Sequence, residues 1–356
     1  MLTADTRPVR QHGGFADLSD RTKLRLTGAD RVRYLNGQVT ANVTRLKPGE
    51  SVPACVTTAK GKLCAEVFIT ATSDALIIDA EPDLRETLHG RLERYIISDD
   101  AALEDVTDSL ALLHRLPGAG EAVGAAGAGS ETGKGAVATA MAKRFGIAGR
   151  DVFVPVSELS AWYEKLSAGW DDEARGPIAP EVLEVLRIES GVPRWGAELD
   201  EDTLPPEAGL DRTHVDYHKG CYIGQEVISR LKSVGHVNRR LVGLEVAEGT
   251  EATEGTAAAT AVGTQLFEAA AAAPVEESVA PNNDSGAHVG GFIPAKPLGR
   301  ITSVARSLAL GRTIALGYVR RGAPDRLRAE PEGAAAGSGC VVAVRELPFF
   351  SVQSEK

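Results

Sequence analysis

Apolar and polar positions alternate over short distances in the first third of the chain, and this pattern predicts strands. Lys23 to Leu26 reads as a strand ending at Gly28, and Asp30 to Leu35 as a helix. Val52 to Thr58 and Leu63 to Thr70 flank Lys60-Gly61-Lys62, a hairpin signal. Ala75 to Asp79 is a further strand. Pro82 sits where a helix starts, and Leu84, Leu88 and Leu92 recur at helical spacing behind it. Strands over Ala101 to Val106 and Leu110 to Leu116 follow. Asp151 to Val156 then reads as a strand and Glu158 to Leu166 as a helix. Pro180 opens another helix, with Val182, Leu183 and Leu186 on one side and Gly191 as its natural C-terminal cap. This order of strand, hairpin, helix and strand predicts a split α+β domain. After Gly235 the helical period is lost. Leu241 to Val246, Gly290 to Ile293, Arg300 to Val304, Thr313 to Val319 and Cys340 to Val344 predict a small β-barrel or sandwich.

A length of 356 residues implies two or three domains. A formal net charge of -10 argues against broad nonspecific binding to nucleic acid and leaves room only for a local basic patch. No apolar run reaches membrane-spanning length, and Met1 to Gln11 lack the apolar centre of a secretory signal. Cys55, Cys64, Cys221 and Cys340 are scattered, which predicts reduced thiols in the cytoplasm and no disulfide framework. Pro117 to Ala140, Ala247 to Ala287 and Gly322 to Gly339 are rich in Ala and Gly, and such segments predict mobile loops or insertions. Gly133-Lys134-Gly135 lacks the hydroxyl residue of a phosphate loop.

The densest chemistry lies in His218-Lys219-Gly220-Cys221-Tyr222-Ile223-Gly224-Gln225-Glu226. His214, His218 and Cys221 have a spacing that one helical face could use for a metal, but Gly220 interrupts it, and no metal site is assigned. Val227, Ile228 and Leu231 predict a helix just behind Cys221. Helix amides and Lys219 would favour its thiolate; a small buried thiol is the other reading, and the residues leave both open. Glu189, in Arg187-Ile188-Glu189-Ser190-Gly191, puts a carboxylate at a helix C-terminus, against the helix dipole. It is either a partner for the N–H/NH2 edge of a flat heterocycle or a solvated glutamate paired with Arg187.

Together these residues resemble the folate-binding family of the glycine-cleavage T-protein, an aminomethyltransferase. Gly28-Ala29-Asp30 with Tyr34-Leu35-Asn36-Gly37, Arg94-Tyr95-Ile96-Ile97, Arg187 to Asp200, Leu204-Pro205-Pro206-Glu207, Gly299 to Ser303 and Ile314 to Val319 carry the resemblance. Lys219 to Glu226 is similar to the signature of the YgfZ branch, which is implicated in iron–sulfur cluster assembly or repair. The resemblance implies an α+β fold of three domains around a central hole. These are a split folate-binding domain (1–51 and 171–235), a ferredoxin-like domain (52–170, insertion 117–140) and a C-terminal β-barrel (236–356, insertion 247–287). It implies tetrahydrofolate as cofactor, with Glu189 on the pterin, Arg187 beside it and Tyr222 lining the pocket. Arg230 and Lys232 would meet the anionic tail, Lys219 would be a further folate-binding residue, and Cys221 would be the functional thiol.

The implied function is a tetrahydrofolate-binding accessory factor serving iron–sulfur proteins, tRNA-thiolating enzymes among them; the alternative is an aminomethyltransferase. An ungapped match puts Glu86 where T-proteins carry a catalytic aspartate, a departure that weighs against the alternative. The implied partners are folate, iron–sulfur proteins or their assembly factors, and a transient tRNA contact through Lys219, Arg230, Lys232, Arg239 and Arg240, without a membrane. The implied location is the cytoplasm, or the mitochondrial matrix for a eukaryotic source.

Overall fold

The computed structural model describes residues 1–121, 135–168, 176–246, 260–269, 296–331 and 339–350. Its elements in chain order begin with β1 (Leu2–Ala4), α1 (Arg7–His12), β2 (Gly14–Asp17), β3 (Thr22–Thr27) and α2 (Arg31–Gln38). There follow β4 (Ser51–Thr57), β5 (Leu63–Ala71), β6 (Leu76–Ala80), α3 (Arg85–Glu93), β7 (Ala102–Asp105), β8 (Leu110–Leu116), β9 (Ala138–Ala142) and β10 (Gly149–Pro155). Then come α4 (Leu159–Leu166), α5 (Pro180–Glu189) and α6 (Gln225–Ser233). The last third holds β11 (Arg239–Val246), β12 (Gln265–Glu268), β13 (Gly299–Ser307), β14 (Arg312–Arg320), β15 (Arg326–Glu330) and β16 (Cys340–Arg345).

The first sheet has the order β4-β5-β6-β3-β7 and is antiparallel throughout. Leu84, Leu88 and Leu92 lie on one face of α3 and its leading turn and pack with Leu35 of α2 onto Leu24, Leu26, Val56, Ile69 and Ile78. Burial of such a side chain contributes about 2 kcal/mol. The second sheet, β2-β8-β10-β9, packs Phe15, Leu113, Val152 and Val154 against Trp162 of α4. Both sheets mix strands from before and after residue 51, because β3 pairs with β6 and β7, and β2 with β8.

The strands of the last third run β13-β12-β15-β16-β11-β14, and β14 returns to β13, closing a six-stranded antiparallel barrel. β1 joins its outside, parallel to β13. Helix α5 is the joint between barrel and second sheet. Leu183 and Leu186 meet Val9, Ala16 and Leu116, while Val185 and Ile188 meet Ala305, Ile314 and Leu316. The single apolar side expected for this helix is therefore two. Gly191 does end it, at φ 68.

The α+β class and the C-terminal barrel agree with the hydrophobic pattern. Three strands fall where it predicted loops: β9 in the Pro117 to Ala140 stretch, β12 in Ala247 to Ala287 and β15 in Gly322 to Gly339. Backbone pairing builds them, and Leu266 of β12 with Leu327 and Ala329 of β15 reaches the barrel core. The expected strand Gly290 to Ile293, the Gly133-Lys134 pair and the remainder of those Ala/Gly-rich stretches (122–134, 247–259, 270–287 and 332–338) lie outside the described residues.

Candidate functional site

The thiol-bearing segment, residues 214–224, runs irregularly from the 3-10 turn Leu210–Arg212 to α6. It is tied to the loop after α2 and to β4. The Asp216 amide donates to the Thr40 carbonyl (3.0 Å) and that of Ile223 to the Gly37 carbonyl (3.3 Å). Thr40 Oγ1 donates to the His214 carbonyl (2.5 Å) and Thr57 Oγ1 to that of Ile223 (2.6 Å). Lys219 is buried, and its ammonium donates to the carbonyls of Asn36 (2.7 Å), Val39 (2.7 Å) and Ala41 (2.5 Å). Burial lowers its pKa to about 8. Lys219 was expected beside the thiol or a ligand's tail; its donors instead anchor the segment, since a buried ammonium needs acceptors close by.

Cys221 is exposed, between exposed Gly220 and buried Tyr222. Helix α6 begins at Gln225, behind Cys221 as expected. Gly224 caps it at φ 89, and a Cβ there would lie 2.6 Å from both Thr57 Oγ1 and the Thr58 carbonyl, so only glycine fits. The Tyr222 ring is buried with the Lys219 ammonium 5.3 Å from its centroid, and burial pushes its phenol upward. The hydroxyls of Tyr222 and Tyr217 are buried without a protein partner. His214 is taken by Thr213 and Glu66, and among the described residues no group of three His, Cys, Asp or Glu is placed to hold a metal.

A separate cavity of about 500 Å³ opens between the first two sheets and α5. Phe68, Phe145, Ile178 and Leu183 give it apolar walls; Arg21, Arg144, Arg187 and Arg194 face Asp17, Glu66, Glu81 and Glu184. Two of its arginines belong to a buried network. Arg144 holds Asp79 through Nη1 (3.0 Å) and Nη2 (2.9 Å), and Asp151 through Nε (2.8 Å) and Nη2 (2.6 Å). His114 Nδ1 lies 2.7 Å from Asp151. Arg21 holds Asp79 (2.7 Å) and Glu81 (2.5 Å), but its buried Nη2 has no partner among the described residues. Burial raises the Asp151 pKa, and the Arg144 charge with the His114 bond more than offsets it, so the carboxyl is held well below the usual range. Volume, mixed walls and one unmatched donor are the features of a small-molecule site.

The predicted folate-binding residues divide between four places. Arg187 lines the cavity, where it pairs with Glu184 and Glu198 and donates to Ser303 Oγ (2.7 Å). Glu189 does not line it. It is fully buried and accepts from Thr6 Oγ1 (2.8 Å), Arg10 Nη2 (2.9 Å) and Ser307 Oγ (2.5 Å). The chain itself fills its acceptor positions, at the residue for which the resemblance implies a pterin contact. Tyr222 and Lys219 belong to the thiol segment. Arg230 is exposed and paired with Glu226 (3.2 Å), and the Lys232 ammonium sits 3.5 Å from the centre of the Tyr217 ring. The expected basic patch is largely neutralised, for Arg239 pairs with Glu207 (3.0 Å) and Arg240 with Glu346 (2.9 Å). Glu86 is exposed on the first turn of α3 and is not a cavity residue. Arg21, Arg144 and Glu66 had no sequence signal beyond being isolated charges in strand-rich stretches. Among the described residues no helix is long and apolar enough to cross a membrane.

No protein-family model matches the chain. It is 26% identical over 259 residues to an aminomethyltransferase of Rubrobacter xylanophilus, covering 69% of this chain and 68% of that protein. It is 26% identical over 240 residues to the tRNA-modifying protein YgfZ of Yersinia pestis, covering 63% and 68%. A mitochondrial iron–sulfur cluster assembly factor homologue of Dictyostelium discoideum is 23% identical over 252 residues, covering 63% and 60%. The glycine cleavage aminomethyltransferase T of Bartonella henselae shares the fold, with a TM-score of 0.72 at 17% identity over 97% of this chain and 88% of that one.

Proposed function

We propose that this chain, a YgfZ-type member of the glycine-cleavage T-protein superfamily, is a folate-binding accessory factor for iron–sulfur cluster assembly or repair. The observation that carries the reading is the exposed Cys221 on a segment tethered at both ends. A single thiol cannot chelate a cluster. The cluster or its sulfur is therefore cargo, met transiently by Cys221 on a client or assembly protein, with tRNA-thiolating enzymes among the clients.

The cavity would take tetrahydrofolate. Support comes from a buried orphan at its wall: Arg21 Nη2 lacks an acceptor, and a pterin carbonyl or a folate carboxylate supplies one. Phe68 and Leu183 offer apolar surface for a ring, and Arg194, part-exposed at the rim, offers charge for the tail. Titration calorimetry with tetrahydrofolate tests this half. Wild type should bind, and Arg21→Lys, which keeps the charge facing Asp79 but loses the orphan N–H, should bind at least about tenfold more weakly. Complementation of a deletion strain tests the other half: full restoration of cluster enzymes by Cys221→Ala sinks the thiol role.

Aminomethyl transfer to tetrahydrofolate is the second reading, favoured by the relatives of that name. Against it stands Glu86, exposed and outside the cavity. It requires ammonia release and methylene-tetrahydrofolate formation with a lipoyl carrier protein, and the absence of both at saturating folate removes it.

A further inference from the structure

Glu66 and Phe68 stand two positions apart on β5, so their side chains leave the same face of the sheet. Both form part of the cavity wall. Both also touch His214, the first residue of the thiol segment. His214 Nε2 lies 3.1 Å from Glu66 Oε1, and the Phe68 and His214 rings meet edge to face with centroids 6.4 Å apart. A carboxylate only accepts, so Nε2 carries the proton, and Nδ1 accepts from the Thr213 hydroxyl at 2.7 Å. The main chain of the same residue is held as well, its carbonyl by Thr40 Oγ1. Thr40 also accepts, through its own carbonyl, from the Asp216 amide. One imidazole thus joins the wall of the cavity to the segment that presents Cys221.

We propose that His214 is a positioning residue that couples the content of the cavity to the presentation of Cys221. A ligand donor that reaches Glu66 competes with Nε2–H for the carboxylate, and a ring laid on Phe68 displaces the edge contact. Either change loosens the anchor at the start of the segment and alters access to the thiol. The inference rests on the reading that the cavity takes a folate. It adds that the two sites communicate, and by which residues.

The test is the rate at which iodoacetamide alkylates Cys221, read by mass spectrometry on the Cys221 peptide so that the other three cysteines do not enter. The full-length protein is used with and without 5-formyltetrahydrofolate, and binding is measured separately by calorimetry. Saturation should change the wild-type rate roughly fivefold. Glu66→Ala and His214→Ala should abolish that change. His214→Gln, whose amide can still donate to Glu66, should restore much of it, which a merely structural role for the ring would not. Glu164→Gln, exposed on α4, should leave it intact. If folate binds and the wild-type rate is unmoved, the coupling is overturned while the folate site stands. If folate does not bind, the ligand-free proteins decide: Glu66→Ala alone should shift the rate by roughly twofold, and an unchanged rate overturns the coupling.

Discussion

At the cavity wall Arg144 reaches two carboxylates, Asp79 and Asp151, and Arg21 reaches Asp79 and Glu81, so buried charge is held by opposite charge. In the thiol segment the buried ammonium of Lys219 donates its hydrogen bonds to neutral carbonyls, and the other ties are hydroxyls, backbone amides and the one contact of His214 with Glu66. The first arrangement fixes the wall with few ways to relax, because losing one partner strands another charge in a dry place. The second fixes a path for the chain while leaving Cys221 at the surface. Damage to the wall should therefore appear as lost stability, and damage to the segment as altered thiol chemistry.

The sharpest way to break this contrast is Arg144→Ala. It leaves Asp79 and Asp151 buried with fewer partners and should cost about 3–5 kcal/mol, read as a large fall in the thermal midpoint. Acid should do the same more gradually. The folded Asp151 carboxyl titrates well below its unfolded value, so its contribution is present above about pH 4 and is lost as pH falls below it. Urea midpoints should drop between about pH 5 and 3, and Asp151→Asn should flatten that drop. Gly224→Ala meets a wall at 2.6 Å in a left-handed conformation and should cost about 1–3 kcal/mol. Its distinguishing effect is a changed Cys221 alkylation rate with folate affinity intact; a changed affinity and an unchanged rate would erase the contrast.

The smallest effect concerns Lys219. Its folded pKa of about 8 lies below the ordinary 10.5 because burial penalises the charge, so in that window the unfolded chain holds more protons. Stability should rise slightly with pH from 8 to 10.5, and Lys219→Met should reduce the slope. Lys23, lowered to about 8 by burial, acts in the same direction, and the buried Cys55 thiol, pushed up by burial, opposes both above about pH 9.

Local chemistry was readable in advance wherever neighbouring residues decide it. Lys60-Gly61-Lys62 announces the β4–β5 turn, Pro180 and Gly191 bracket α5, and Gly224 precedes α6. Cys221 stood out from its setting among glycines, while its exposure was decided only by the fold. What escaped was set by residues distant in sequence. Glu189 reads as a carboxylate in search of a ligand until Thr6 and Ser307, 183 and 118 positions away, supply its hydrogen bonds. Lys219 reads as a neighbour of Cys221 until the loop after α2 takes its ammonium. The strands β9, β12 and β15 escaped for a related reason: ladder bonds to partners override weak local preference.

The pairing of β1 with β13 has a consequence for how the protein is made. Leu2 finds its neighbour at Ala305, and Thr6 and Arg10 find theirs at Glu189. During vectorial synthesis β1 is made well before β13 and waits for it unpaired, exposed to proteases and to mispairing meanwhile. A substitution in β1 that weakens this pairing leaves the outer edge of β13 open, so yield and solubility should be more sensitive to changes in β1 than to most changes on the surface.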